Sequence, residues 1–150
     1  MSSEHVTKVL GRRLGYALKR AQHALRIAMD DALRPCGITT PQYAVLSAVE
    51  QEVGLTNASL ARAAFVTAQS MQGILANLER DGLIERHAPP GNGRMLGCTL
   101  TAAGYVLVER AHGAVAPVEH TLMAGLGGED ASRIAGLLST CAEKLDAARM

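Results

Sequence analysis

Cysteine is scarce in this sequence: Cys36, Cys98 and Cys141 stand far apart, with no C-x-x-C pair among them. An odd, scattered set excludes a disulfide framework and points to reduced thiols in the cytoplasm. Long apolar runs are also missing, because charged residues interrupt every stretch, so no membrane span is expected. The first residues carry His5, Lys8, Arg12 and Arg13 but no apolar block before a cleavage site, which excludes a secretory signal. Charge of one sign is lacking too. Fifteen Lys and Arg stand against 14 Asp and Glu, a formal net charge of +1, so no global basic field advertises nucleic acid. Catalytic signatures are absent: there is no G-x-S-x-G elbow, no phosphate-cradling glycine loop and no H-E-x-x-H pair. Asn92-Gly93 and Gly127-Gly128 read as turns rather than nucleotide loops. Neither an enzyme, a cofactor nor a resident metal is expected.

What is present is an apolar content of 48% in 150 residues, enough for one domain with a true core. Apolar residues recur in steps of three and four at Leu10, Leu14, Ala17, Leu18, Ala21, Leu25 and Ala28. This periodicity predicts one long amphipathic helix over roughly 4–34, ended by Pro35 and Gly37. Thr40-Pro41 predicts the start of a second helix, with Thr40 as cap and Ala44, Val45, Leu46 and Val49 inward. A third helix is expected from Asn57 or Ala58 to Ala64, with Leu60, Ala61 and Ala64 inward. Only Phe65, Val66 and Thr67 separate it from a fourth, 68–81. Two helices joined so tightly form a helix-turn-helix, here without the glycine often found in the turn.

After Gly82, residues 83–86 predict a short strand, 87–93 a loop with two prolines and two glycines, and 95–101 a returning strand. A helix follows over 104–126, with Leu107, Ala111, Val115, Val118 and Leu122 on one side and a kink at Pro117. Glu129-Asp130 opens the last helix, whose stripe is Ile134, Leu137, Leu138, Cys141 and Leu145. The expected fold is therefore mainly α with a small β-hairpin wing. The outer helices carry more apolar surface than a small core can cover, so a homodimer is inferred.

Three runs in this order carry a resemblance. They are Ile38-Thr39-Thr40-Pro41-Gln42-Tyr43-Ala44-Val45-Leu46; Leu55-Thr56 with Leu60-Ala61; and Leu78-Glu79 with Gly82-Leu83-Ile84-Glu85-Arg86. Asn92-Gly93-Arg94 ahead of Leu100-Thr101, and Gly127-Gly128-Glu129-Asp130, complete it. In joint order and spacing, from about Leu10 to Leu145, the chain resembles the MarR family of regulators. The resemblance implies a cytoplasmic, ligand-responsive transcription regulator, a repressor by preference, built as one domain over 1–150. Residues 38–101 would form the winged helix-turn-helix DNA-binding lobe, and 4–36 with 104–150 the dimerisation helices. Recognition helices would enter successive major grooves of a palindromic operator in double-stranded DNA, while wing tips reach the minor groove.

The residues can be read beside that expectation. On a helical wheel Met71, Ile74, Leu75 and Leu78 form a core face, and Gln69, Gln72, Gly73, Ala76, Asn77 and Arg80 the opposite one. Gln69 and Gln72 are the best base readers, since glutamine bonds an adenine edge bidentately. Thr67 and Ser70 suit phosphate, helped by the helix N-terminus. Arg94 matches the family's wing-tip arginine, expected in the narrow minor groove. The family usually braces that arginine with an Asp where this chain has Asn92, and often has arginines at the positions of Ala68, Gly73 and Asn77. Fewer charges on the reading face predict weaker binding and a shallower salt dependence.

Tyr16, Arg20, His23 and Ile27 form a second stripe on the first helix at i, i+4, i+7 and i+11. Such a stripe would suit a small aromatic carboxylate effector paired with Arg20; the plainer reading is a solvated or dimer-facing edge. Glu109-x-x-His112, with His120 beyond, has a spacing compatible with metal but reads as exposed helix decoration. Two alternatives to the effector-released regulator remain: a regulator sensing oxidants through cysteine, and a winged-helix protein-interaction module that no longer binds DNA.

Overall fold

A computed structural model describes residues 2–87 and 97–150. It falls into two compact units, Met1–Val118 and Glu119–Met150. In the first unit α1 (Ser3–Leu10) and α2 (Leu14–Leu33) replace the single long helix expected from the periodicity. The break falls where glycine lowers helix stability most, at Gly11 with Gly15 close behind, each worth about 1 kcal/mol against alanine. The Gly11 N–H still closes on Thr7, but Arg13 bonds only three residues back, to Leu10, and turns extended (φ −89°, ψ 128°).

A 3-10 turn, Arg34–Cys36, leads through left-handed Gly37 into α3 (Thr40–Gln51). The cap lies one residue earlier than the sequence reading placed it. The Thr39 hydroxyl accepts from the Gln42 N–H, and the Gln42 side chain accepts from the Thr39 N–H at 2.9 Å. This reciprocal box satisfies two otherwise orphaned donors, which a cap at Thr40 would not. Thr56 caps α4 (Asn57–Ala64), and Thr67 caps α5 (Ala68–Arg80).

The strands β1 (Ile84–His87) and β2 (Gly97–Leu100) pair antiparallel, with Ile84 opposite Leu100 and Arg86 opposite Cys98. Ile84, Cys98 and Leu100 are buried, so one face of the hairpin belongs to the core. They join Leu33, Leu46, Leu60, Met71, Leu75, Leu78 and Val108, all essentially inaccessible. In α6 (Ala102–Leu122) the buried residues are Gly104, Val108, Ala111 and Val115; Leu107 is only half-buried and Leu122 is exposed. Ala111 and Val115 thus face the core as the periodicity predicts, while Val108 takes the buried place one turn earlier instead of Leu107. The helix runs on through Pro117.

The second unit contains α7 (Gly128–Ala148), which opens with Glu129 and Asp130 in its first turn, a favourable place for negative charge. None of its residues is buried: Ile134, Leu137, Leu138 and Leu145 are exposed, and Cys141 half-buried. Among the described residues no helix is long and apolar enough to cross a membrane.

Candidate nucleic-acid interface

The helix-turn-helix is assembled by three short-range devices. Phe65 closes α4 in the left-handed conformation (φ 56°, ψ 40°), and its N–H bonds the Arg62 carbonyl at 3.3 Å. Val66 bonds back to Ala61 and packs its side chain against the core. The Thr67 hydroxyl then accepts from the Ser70 N–H at 3.1 Å and lies 3.0 Å from the Ser70 hydroxyl. A fourth contact, from the Asn57 side-chain amide to the Ala68 carbonyl at 3.4 Å, ties the start of α4 to the start of α5. The left-handed region costs a bulky side chain about 1–2 kcal/mol, so the missing glycine is a strained position.

Met71, Leu75 and Leu78 of α5 are buried and Ile74 half-buried, which leaves Gln69, Ser70, Gln72, Gly73, Ala76, Asn77 and Arg80 on solvent. The exposed face is therefore the polar one, and its N-terminal end carries the two glutamines. Thr67 is exposed, with its hydroxyl engaged in the cap. Arg80 lies 3.8 Å from Asp81, a solvent-exposed pair that contributes little but offsets part of the arginine's field. Asn92 and Arg94 lie outside the described residues.

The joint between this lobe and α6 is built at Thr101. Its N–H bonds the Leu83 carbonyl, and its hydroxyl donates to the Gly82 carbonyl at 2.6 Å while accepting from the Gly104 N–H at 3.0 Å. A second tie crosses from α3 to α6. The Tyr43 hydroxyl lies 2.7 Å from Nδ1 of His112, and Nε2 of the same ring lies 2.7 Å from a Glu50 carboxylate oxygen. With the ring neutral, Tyr43 donates to Nδ1 and the Nε2–H donates to Glu50, so all three groups are satisfied. His112 is thus a buttress rather than exposed decoration or half of a metal pair. His112→Ala is expected to strand the half-buried Tyr43 and Glu50 groups and to cost about 1–3 kcal/mol by urea denaturation. Glu50→Gln, which keeps an acceptor, should cost clearly less.

Of the effector stripe, Tyr16 is half-buried and Arg20, His23 and Ile27 are exposed on α2. Arg20 lines an open groove of about 480 Å³ together with Ser3, Glu4, Thr7, Lys8, Gly11 and Arg12. Tyr16 and His23 do not line that groove, so the three residues share a helix face but not one cavity. The thiols are free: Cys36 and Cys141 are half-buried and Cys98 is buried. Burial pushes the Cys98 thiol above its usual value, partly offset by Arg86 and reinforced by Glu79. A raised thiol has little thiolate at neutral pH, which makes Cys98 a poor oxidant sensor.

A helix-turn-helix with a polar reading face, followed by a two-stranded hairpin, defines a winged helix-turn-helix DNA-binding regulator. A MarR family model matches residues 37–95. The chain is 41% identical over 113 residues to the HTH-type transcriptional repressor Rv2887 of Mycobacterium tuberculosis, covering 75% of this chain and 81% of that protein. It is 31% identical over 93 residues to the transcriptional regulator HosA of Escherichia coli, covering 62% of this chain and 69% of HosA. Among solved structures, Rv2887 in complex with salicylic acid superposes with a TM-score of 0.69 at 36% identity, over 86% of this chain and 96% of that one. The repressor CouR bound to a 23-mer DNA duplex gives a TM-score of 0.81 at 28% identity, over 91% and 96%. The chain belongs to the MarR family.

Proposed function

We propose that the protein is a homodimeric repressor that occupies a palindromic operator and leaves it when a small aromatic acid binds. The observation that carries this reading is the exposed polar face of α5, with Gln69 and Gln72 at its N-terminal end on an otherwise packed helix-turn-helix. Gln69 and Gln72 would read adenine edges. Ser70, with the backbone N–H groups that open α5, would hold phosphate. Thr67 would serve mainly by ordering that end of the helix. Gly73 would allow close approach, Asn77 and Arg80 would contact the groove wall, and Arg94 with Asn92 would reach the minor groove. Two copies would present these helices to half-sites about 10 bp apart. CouR, bound to a 23-mer DNA duplex, and Rv2887, in complex with salicylic acid, support DNA and an aromatic acid as the two ligands.

Effector binding would act by favouring a dimer whose reading heads no longer match the half-site spacing. Arg20 would pair the effector carboxylate, with Tyr16 and His23 on the same helix face but outside the groove that Arg20 lines. The test is selection of bound fragments from random duplex DNA, followed by titration of the enriched duplex. Gln69→Ala and Gln72→Ala should each weaken binding by about 5- to 150-fold, the worth of one bidentate base contact. Arg20→Ala should leave DNA affinity intact and blunt release by salicylate. Failure to enrich any sequence refutes the proposal.

A further inference from the structure

We infer that the Phe65 ring is an apolar reader of a thymine 5-methyl group in the major groove, extending the base-reading surface beyond α5. The inference rests on the DNA-binding reading above. Three observations lead to it. Phe65 is the chain's one phenylalanine, and the residue is 96% exposed, more than any tyrosine among the described residues. Every other described residue with positive φ is a glycine (Gly37, Gly54, Gly82 and Gly125), so the backbone here has the conformation that glycine fills without strain. Phe65 also takes no part in the core. The Phe65 N–H is bonded at the end of α4, and the next residue, Val66, takes the inward position against the core.

A strained backbone carrying a solvated apolar ring gains nothing for folding. Such outliers mark functional positions. The position itself selects the partner. Phe65 lies two residues ahead of the Thr67 cap, at the end of the recognition helix that enters the major groove first. Hydrogen-bonding side chains read base edges there, but the thymine methyl offers only an apolar contact, which a phenylalanine ring makes without leaving an amide unpaired.

The experiment uses full-length protein and the duplex enriched by wild type from a random pool, read by fluorescence anisotropy at fixed salt. Each thymine is replaced in turn by deoxyuridine, which deletes only the methyl group. Wild type should lose about fourfold in affinity at one thymine per half-site, the worth of one buried methyl. Phe65→Gly should bind the unmodified duplex about tenfold more weakly and be indifferent to deoxyuridine at that same position. Its salt dependence should equal wild type's, because no phosphate contact is lost. Its thermal midpoint should be no lower, since glycine relieves the backbone, so weaker binding cannot be assigned to unfolding. Wild-type affinity in Phe65→Gly overturns the inference, as does a loss accompanied by unchanged sensitivity at every thymine. A pool that enriches no sequence defeats the DNA-binding reading itself, whereas enrichment with an indifferent Phe65→Gly defeats this inference alone.

Discussion

Replacing Leu137 and Leu145 of α7 together by glutamate is expected to turn the protein into a monomer and to weaken its hold on the operator by about 100- to 10,000-fold. Leu137 is 58% exposed and Leu145 67% exposed, and with Ile134, Leu138 and Cys141 they follow the i, i+3, i+4, i+7, i+11 pattern of a single helix face. A 21-residue helix with such a face and no buried residue is a partner-seeking element rather than a finished one. A second copy is the simplest partner, because a two-fold axis lets one stripe cover its equivalent. Two carboxylates per chain would then be desolvated on association, at a cost far above what the lost leucines supplied. The large effect on DNA follows from linkage. With one reading head of a dimer seated, the second would bind at an effective concentration set by the pairing, and a monomer would forfeit that advantage. Analytical ultracentrifugation reads the mass and anisotropy the affinity. A double variant that remains dimeric would remove α7 from the interface.

Most of the reading head was legible in the sequence because its signals are local. The periodicity of Met71, Leu75 and Leu78 fixes which side of α5 is buried, and hence that Gln69 and Gln72 face solvent. The hairpin followed from apolar positions flanking a proline- and glycine-rich stretch of sequence. Elsewhere periodicity misled. The steps of three and four run unbroken through Gly11 and Gly15, so α1 and α2 read as one helix although two glycines undermine it. The absence of a glycine in the helix-turn-helix was visible at Phe65, but its consequence was not, because strain is a property of the dihedral angles and not of the residue type. The Tyr43–His112–Glu50 chain was invisible for a different reason. Its members lie 62 and 69 residues apart, and nothing in a single sequence pairs a histidine in one helix with a tyrosine and a glutamate in another.

The same distinction between local and tertiary signals makes Gly104→Ala the most informative stability variant. In the sequence Gly104 marks no more than the neighbourhood of a helix start. In the fold it is buried in the first turn of α6, and a Cβ added there would stand 2.1 Å from the Leu83 carbonyl oxygen and 3.1 Å from its carbon. That oxygen cannot withdraw freely, because it accepts from the Thr101 N–H, and the Thr101 hydroxyl in turn holds Gly82 and the Gly104 N–H. Alanine ordinarily stabilises a helix by about 1 kcal/mol over glycine, so propensity alone forecasts a gain. The clash is with backbone, and relieving it must lift α6 off the base of the wing or break the Thr101 bonds. Both routes exceed the propensity gain, and a net loss of about 3 kcal/mol is expected. Gly113→Ala is the matched control, since nothing lies within 4 Å of a Cβ at that position of the same helix. In urea denaturation Gly113→Ala should be neutral or stabilising and Gly104→Ala strongly destabilising. Equal behaviour of the two would mean that α6 does not bear on the Leu83 backbone, and that the reading head is less firmly joined to this helix than the Thr101 contacts indicate.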